Sequence, residues 1–233
     1  MLRKVVKVLF EDNHLLIVSK SAGEITQGDR TGDTTLIEIC RKYIKDTRNK
    51  PGNVFLHPVH RLDRPVSGIV VMALTGKALS RMNALFATHA LRKTYWALVH
   101  HPIDPVQGTL RHFLIKNEKQ NKSYIVDAAQ QGAKEAILDY RIVSKSERYW
   151  LIEVVLRTGR HHQIRAQFAE MGCPIRGDLK YGAPRSNKDG GISLHAVQLE
   201  FKHPVTHNEV KVVAPTPKDP VWAPFTTLLG SGN

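Results

Sequence analysis

Cysteine is scarce in this chain of 233 residues, and the two that occur form no recurring pattern. Cys40 and Cys173 stand far apart, without a Cys-x-x-Cys spacing, so we expect neither a disulfide framework nor a structural zinc site. No apolar run is long enough to cross a bilayer, and the N-terminal residues lack the pattern of a signal peptide. We therefore predict a cytoplasmic protein with no membrane association.

Sequence motifs of cofactor and metal chemistry are also missing. The chain contains no His-Glu-x-x-His, no phosphate-binding Gly-x-x-x-x-Gly-Lys loop and no Gly-x-Gly-x-x-Gly. Ser67 lacks the Gly-x-Ser-x-Gly frame of a serine hydrolase. We therefore expect that the protein uses no cofactor and that its chemistry requires no metal.

Positive charge is what the chain has in excess. Lysine and arginine number 34 against 21 acidic residues, which gives a formal net charge of +13. The basic residues are spread along the whole chain, so the folded body itself should carry the positive field. Such a surplus favours a polyanionic partner, nucleic acid before membrane, and a basic surface without such a partner is the alternative.

Short apolar runs separated by polar turns predict more strands than helices. Hairpin connections dominate, beginning with Val5–Phe10 and Leu15–Lys20, so the predicted class is α+β with a mixed, mostly antiparallel sheet and flanking helices. Thr35 with Glu38 three residues later is a capping-box pattern that predicts a helix. Another helix is predicted over 221–229. An apolar content of 42% supports a substantial core, and we expect one domain over residues 1–233.

The loop His60–Gly68 is the first cluster of chemically active side chains. It lies between two apolar runs that predict buried strands, Val54–Leu56 and Ile69–Leu74. Its ionisable residues are a histidine, two arginines and one carboxylate: His60, Arg61, Arg64 and Asp63. Rigid scaffolds place chemistry on such loops, but a surface turn in which Asp63 pairs with a neighbouring arginine is the alternative.

The second cluster stands where a predicted strand hands over to a predicted helix, Arg160–Met171. Its polar residues crowd the first turn: Arg160, His161, His162, Gln163 and Arg165. The free amide groups and the positive dipole end of a helix favour anions, so phosphate contact is the functional interpretation. A solvated helix face is the alternative.

Both clusters resemble the signatures of the RluA-type pseudouridine synthases. The first matches as His60-Arg61-Leu62-Asp63-x-x-x-Ser67-Gly68, and the second as Gly159-Arg160-x-His162-Gln163-Ile164-Arg165 with a continuation to Gly182. Two further blocks follow the family order, Lys93-x-Tyr95-x-Ala97-x-Val99 and Leu194-His195-Ala196 with His203-Pro204-x-Thr206. The resemblance extends from Phe10 to Pro217. The chain departs from the usual pattern at three positions that bear on substrate contacts: Ser21, Val66 and Gln167.

The resemblance implies a pseudouridine synthase catalytic fold with a central RNA-binding cleft. It also implies isomerisation of uridine to pseudouridine in a tRNA or rRNA stem-loop, with the target base flipped out of its helix. Asp63 would be the essential carboxylate, Arg165 its charged partner, and Tyr95 the stacking residue and base for the ring proton. The remaining site residues would contact the substrate: His60, Arg61, Arg64, Arg160, His162, Gln163 and Ile164.

The first strand begins close to residue 1, so we expect no separate N-terminal RNA-binding domain, and we take a monomer as the default state. One ionised aspartate suffices for the implied reaction because uracil leaves as an anion and is recaptured, whereas glycosidases need two carboxylates. Two alternatives remain. The first is a non-catalytic RNA-binding or ribosome-assembly factor on the same fold, and the second is a metal-dependent RNA hydrolase, for which the ligands are missing.

Overall fold

The computed structural model describes residues 6–28, 32–49 and 51–229. Within these ranges the elements follow in chain order: β1 (Val8–Glu11), β2 (Leu15–Lys20), α1 (Leu36–Thr47), β3 (His57–Pro58), β4 (Ser67–Ala73), α2 (Gly76–Ala87), β5 (Leu91–Val99), β6 (Gln107–Asn117), β7 (Lys122–Val126), β8 (Lys134–Lys145), β9 (Trp150–Leu156), α3 (Gln163–Glu170), a 3₁₀-helix (Leu179–Tyr181), β10 (Leu194–Lys202), β11 (Glu209–Val213) and a second 3₁₀-helix (Pro220–Leu229).

The chain divides into two compact units. Unit 1 comprises the residues up to Leu91 together with Ala196–Pro217, and unit 2 comprises Arg92–His195 together with the residues from Lys218 onwards. The expectation of one domain over residues 1–233 stays a prediction.

Unit 1 is built on antiparallel strands. β1 pairs with β2, β2 with β4, and β10 with β11. β2 and β4 carry almost uninterrupted apolar residues because both of their faces are buried, and helix α2 packs against one face through Met82. Helix α1 begins with the predicted capping box. The Thr35 hydroxyl accepts from the Glu38 amide, and the Glu38 carboxylate accepts from the Thr35 amide.

Unit 2 is an antiparallel sheet in the order β5-β9-β8-β6-β7. Along β8, buried residues alternate with partly exposed ones, so one face of the sheet is covered. Helix α3 contributes Ala166 to the core on the covered side, where it meets Leu114, Ala136 and Tyr181. The mostly antiparallel α+β class is confirmed.

The outward face of β6, β8 and β9 carries charges of both signs. Three arginines meet three carboxylates there: Arg111 with Glu135, Arg141 with Glu153, and Arg157 with Asp139. Arg141 and Glu153 stand directly opposite each other on paired strands, which is the arrangement that favours cross-strand ion pairs. We refer to these six residues as the charged face of unit 2.

Three details differ from the sequence prediction. Val54–Leu56 is not a strand, since Phe55 is 43% exposed and only His57–Pro58 pairs with β4. Helix α3 begins at Gln163 instead of Arg160, because His162 has a left-handed backbone with φ of 53°. The segment 220–229 is a 3₁₀-helix containing Pro224, which removes a backbone donor.

Of the predicted strand Val5–Phe10, Val5 lies outside the described residues. None of the described helices is long and apolar enough to cross a membrane.

Candidate active site

The loop that carries Asp63 is anchored by backbone and side-chain contacts within unit 1. The Val66 amide donates to the Asp63 carbonyl at 3.0 Å, which closes a turn directly after the carboxylate. Gly23 donates its amide to the Arg64 carbonyl at 2.8 Å. On the other side of Asp63, the Thr26 hydroxyl contacts both the amide and the carbonyl of Leu62. The backbone around Asp63 is therefore held from both sides, and the residue as a whole is half-buried.

Lys20 provides a further anchor, which the sequence alone did not reveal. Its side chain is 1% exposed, and its Nζ donates to the carbonyls of Ser21, Arg64 and Val66 at 3.0, 3.1 and 2.6 Å. The three donors of an ammonium group thus meet three carbonyl oxygens, two of which belong to the turn that follows Asp63. Burial lowers the pKa of Lys20 to about 8, against the opposing influence of Glu24 and Asp63. Its only signal in the sequence was a lysine at the end of an apolar strand.

The other predicted site residues of this loop, His60, Arg61 and Arg64, also belong to unit 1. The His60 Nε2 accepts from the Val71 amide at 3.2 Å, and its ring stacks on Phe86 with centroids 4.8 Å apart. The Arg64 guanidinium forms an exposed pair with Asp33 at 2.8 Å, and Arg61 is exposed. His60 therefore supports the strand next to the loop, while both arginine side chains reach solvent.

Gly68 ends the loop at a position that only glycine can occupy. Its φ is 116°, and a Cβ there would lie 2.3 Å from the Ala196 carbonyl oxygen in β10. β4 and β10 are neighbouring strands, so the close approach is backbone against backbone and cannot relax by a side-chain rotation. The glycine of the first sequence cluster is thus required by packing.

In unit 2, Arg165 is held by a buried ion pair. Its Nε and Nη2 donate to the two carboxylate oxygens of Asp178 at 2.6 and 2.8 Å, and the two side chains are 5% and 1% exposed. The guanidinium also lies over the Tyr181 ring, 5.0 Å from its centroid. The predicted pairing of Arg165 with Asp63 joins residues of different units and stays a prediction. Asp178 was part of the second family block, but the sequence alone gave it no role.

His162 and Tyr181 complete the surroundings of Arg165. The His162 Nε2 lies 2.8 Å from the Arg165 Nη1, and its Nδ1 lies 3.0 Å from the Tyr181 hydroxyl. That hydroxyl also contacts Ser123, accepting from its amide at 2.9 Å and donating to its carbonyl at 3.1 Å. His162 is buried, with 8% exposure.

Three further residues that are predicted to bind the substrate also lie in unit 2: Arg160, Gln163 and Ile164. The Gln163 Oε1 accepts from the Thr158 hydroxyl and the Arg160 amide, and its Nε2 donates to the Ile137 carbonyl. The Arg160 Nε donates to the Glu135 carbonyl at 2.8 Å, and Ile164 is buried. These contacts fix the turn that precedes α3, and a direct role of the three residues in substrate binding stays a prediction.

Tyr95 lies on β5 opposite Val154 of β9 and is half-buried. Because side chains alternate along a strand, Tyr95 shares its face with Lys93, and the buried Thr94 and Trp96 share the other. The Lys93 Nζ lies 3.3 Å from where a Cβ on Gly159 would be, so the missing side chain of Gly159 leaves room for it. Burial lowers the pKa of Lys93.

Among the described residues, no group of three or more His, Cys, Asp or Glu could hold a metal ion.

Comparisons with known proteins agree with the family resemblance found in the sequence. The family description "RNA pseudouridylate synthase" matches residues 14–170, a range that contains Asp63, Tyr95 and Arg165. A protein named tRNA pseudouridine synthase C from Vibrio parahaemolyticus is 29% identical over 240 residues, covering 95% of this chain and 94% of the relative. One named ribosomal large subunit pseudouridine synthase D from Zymomonas mobilis is 30% identical over 226 residues, covering 92% and 70%.

The structural comparison gives the same fold. The solved structure titled "Human RNA Pseudouridylate Synthase Domain Containing 4" superimposes with a TM-score of 0.76 at 24% identity, covering 91% of this chain and 89% of the human one. At that identity the likeness shows the fold alone, and it confirms the predicted catalytic fold. The curated relatives differ in length. The match to this chain covers between 65% and 96% of the length of each.

Proposed function

Because the chain belongs to the RNA pseudouridylate synthase family, we propose that it isomerises a uridine of a structured RNA to pseudouridine, with Asp63 as the essential carboxylate. The observation that carries this proposal is the anchoring of the Asp63 loop by Lys20, Gly23 and Thr26. A reacting carboxylate must be held in a fixed position relative to the sugar, since small displacements cost large factors in rate.

The reaction makes and breaks few bonds. The bond between the sugar C1′ and the uracil N1 breaks, uracil rotates, and a bond forms between C1′ and the uracil C5. The hydrogen on C5 then leaves as a proton, and N1 gains one, so the base is unchanged in composition. Asp63 is the ionised group at the sugar, and either attack on C1′ or removal of a neighbouring sugar proton is compatible with that position.

Two residues of unit 2 have proposed roles in the same reaction. Arg165 would pair with Asp63 and hold its carboxylate in the orientation that the reaction needs. Tyr95 would stack on the uracil and accept the C5 proton, which its half-buried place on β5 permits. Arg61 and Arg64, with exposed side chains beside Asp63, would contact the RNA around the flipped base.

The RNA is proposed from the names of the relatives and from the charge. The name of one relative refers to tRNA and the name of the other to the large ribosomal subunit. The net charge of +13 suits binding to tRNA or to rRNA, since both are polyanions. We propose a tRNA or rRNA stem-loop as substrate, with no metal in the chemistry and the protein acting in the cytoplasm as a monomer.

A tritium-release assay tests the proposal. The enzyme is incubated with total tRNA or rRNA transcripts labelled at the uracil C5, without added cofactor and with EDTA. Tritium is expected in the solvent with wild-type protein and none with Asp63→Asn, while RNA binding at matched salt persists. Asp46→Asn is the matched control, because Asp46 is an exposed carboxylate on α1 that pairs only with Lys42 among the described contacts.

Two outcomes would contradict the proposal. Turnover at the wild-type rate in Asp63→Asn would remove the carboxylate from the mechanism. RNA binding without tritium release from either class of RNA would favour the alternative, a non-catalytic RNA-binding or ribosome-assembly factor.

A further inference from the structure

The protonation state of His162 follows from its contact with Arg165. A guanidinium carries only donors, so the Nη1 of Arg165 must donate across the 2.8 Å to the His162 Nε2. That nitrogen can accept only if it carries no proton. His162 is therefore neutral, and its single ring proton resides on Nδ1.

The next contact agrees with this assignment. The Nδ1–H of His162 donates to the Tyr181 hydroxyl oxygen at 3.0 Å, which also accepts from the Ser123 amide. The hydroxyl hydrogen is then available for the Ser123 carbonyl at 3.1 Å. The Tyr181 hydroxyl thus donates one hydrogen bond and accepts two. The direction of each hydrogen bond is thereby determined along the path from Arg165 through His162 and Tyr181 to Ser123.

We propose that His162 is a positioning residue, which, as the neutral Nδ1–H tautomer, fixes the Nη1 corner of the Arg165 guanidinium. The inference rests on the proposed function of Arg165 and replaces the substrate contact expected for His162. Asp178 holds the Nε and Nη2 edge of the group, and His162 holds the Nη1 corner, which Asp178 does not reach. With both in place, the guanidinium cannot pivot around its carboxylate partner.

The backbone of His162 supports a specific role for this side chain. The residue immediately precedes α3 and has φ of 53°, a conformation that costs about 1–2 kcal/mol for most side chains and is commonest for asparagine, aspartate and histidine. A requirement for that backbone alone would therefore be met best by asparagine. A requirement for an acceptor at the place of Nε2 would be met by glutamine, whose longer side chain reaches that place.

The pair His162→Gln and His162→Asn separates these requirements. If His162 positions Arg165, His162→Asn lowers kcat by about 100-fold with the KM for RNA unchanged, because a displaced catalytic group loses about that factor. His162→Gln should retain at least about tenfold more kcat than His162→Asn, since one charge-assisted hydrogen bond is kept. A higher kcat for His162→Asn would show that the backbone is what matters, and a change confined to KM would show an RNA contact; either overturns the proposal.

A spectroscopic measurement tests the tautomer without any catalysis. In protein labelled with ¹⁵N-histidine, the ring resonances of His162 are assigned by their absence in His162→Gln. Two-bond ¹H–¹⁵N correlations at neutral pH are expected to show a protonated Nδ1 and an accepting Nε2. A proton on Nε2, alone or together with Nδ1, would overturn the proposal. Absence of turnover with every RNA would contradict the proposed function, and the spectrum would still decide the state of His162.

Discussion

Arg165, a residue of the proposed site, depends on Asp178, to which the sequence alone gave no role. The two side chains are almost fully buried and joined by two hydrogen bonds. Removing one partner of such a pair costs more than the pair contributes, because the remaining charge stays buried without compensation. A loss of turnover in Arg165→Met alone would therefore mix catalysis with stability.

A double-mutant cycle separates the two effects. We expect Arg165→Met and Asp178→Asn each to lower the free energy of unfolding by about 3–5 kcal/mol. The double variant should lose less than the sum, because it leaves no isolated charge in the core. Urea denaturation of the four proteins measures this coupling, and strictly additive losses would show that the buried pair does not act as a unit. The proposed catalytic role of Arg165 is then measured as the turnover of the double variant relative to wild type, because the double variant lacks Arg165 without leaving an isolated buried charge.

The buried ammonium group of Lys20 makes the free energy of unfolding depend on pH. Its pKa is about 8 in the folded protein against an ordinary value of 10.5. Between these values the unfolded chain binds a proton that the folded chain lacks, so the free energy of unfolding rises with pH. The rise should be on the order of 3 kcal/mol and complete by about pH 10.5; below pH 8 the full cost of the buried charge is present.

Lys20→Met removes this titration. Urea denaturation from pH 7 to 10.5 should show that the free energy of unfolding of the wild type rises relative to that of Lys20→Met. Lys42→Met, whose lysine is exposed on α1, should follow the wild type. Parallel curves for wild type and Lys20→Met would contradict the assignment. The loss of three hydrogen bonds to carbonyls should also loosen the Asp63 loop, so a lower kcat is expected in Lys20→Met.

Among the elements, strand β4 depends on the glycine at its second residue. A Cβ on Gly68 would meet the backbone of Ala196, and its φ of 116° is unfavourable for any other residue. Gly68→Ala is therefore expected to destabilise unit 1 by several kcal/mol, more than an ordinary glycine-to-alanine change.

The matched control for this change is Gly76→Ala. Gly76 is the first residue of α2, and a Cβ added there would meet no atom within 4 Å. Its φ is not positive either, so alanine should be neutral or slightly stabilising at this position. The denaturation midpoints of Gly68→Ala and Gly76→Ala, each measured against wild type, compare the two effects on stability. Equal stability of Gly68→Ala and Gly76→Ala would exclude the close approach of β4 and β10 in solution.

Elements were predictable where a local pattern determines them. The capping box at Thr35 and the strand Leu15–Lys20 were predicted from a few neighbouring residues and are confirmed. The start of α3 was misplaced because the left-handed backbone of His162 follows from tertiary contacts, not from helix propensity.

The site was predictable in part, for a related reason. Family motifs indicated Asp63 and Arg165, but nothing in them indicates which carboxylate a buried guanidinium selects or which carbonyls a buried lysine bonds. Asp178 lies 13 residues from Arg165, and Lys20 lies 46 residues from Val66, so these pairs form only when the chain has folded.

For the whole molecule, the net charge of +13 predicts a steep salt dependence of RNA affinity. Each phosphate neutralised should contribute about −0.7 to −0.9 to the slope of log affinity against log salt concentration. Titrations of a labelled RNA at several salt concentrations measure the slope, which should be the same for wild type and Asp63→Asn because the substitution leaves the cationic surface intact. A slope near zero would contradict binding through phosphates.

The charged face of unit 2 affects how RNA first meets the protein. Its three arginines are matched by three carboxylates, so these six residues together add nothing to the chain's positive surplus. A surface with patches of unequal potential exerts a torque on an approaching polyanion at distances up to the Debye length. We therefore expect RNA to meet this face only weakly and briefly, and to be oriented towards more positive parts of the surface before any specific contact forms. Replacing its carboxylates would remove that orientation and add unproductive binding modes.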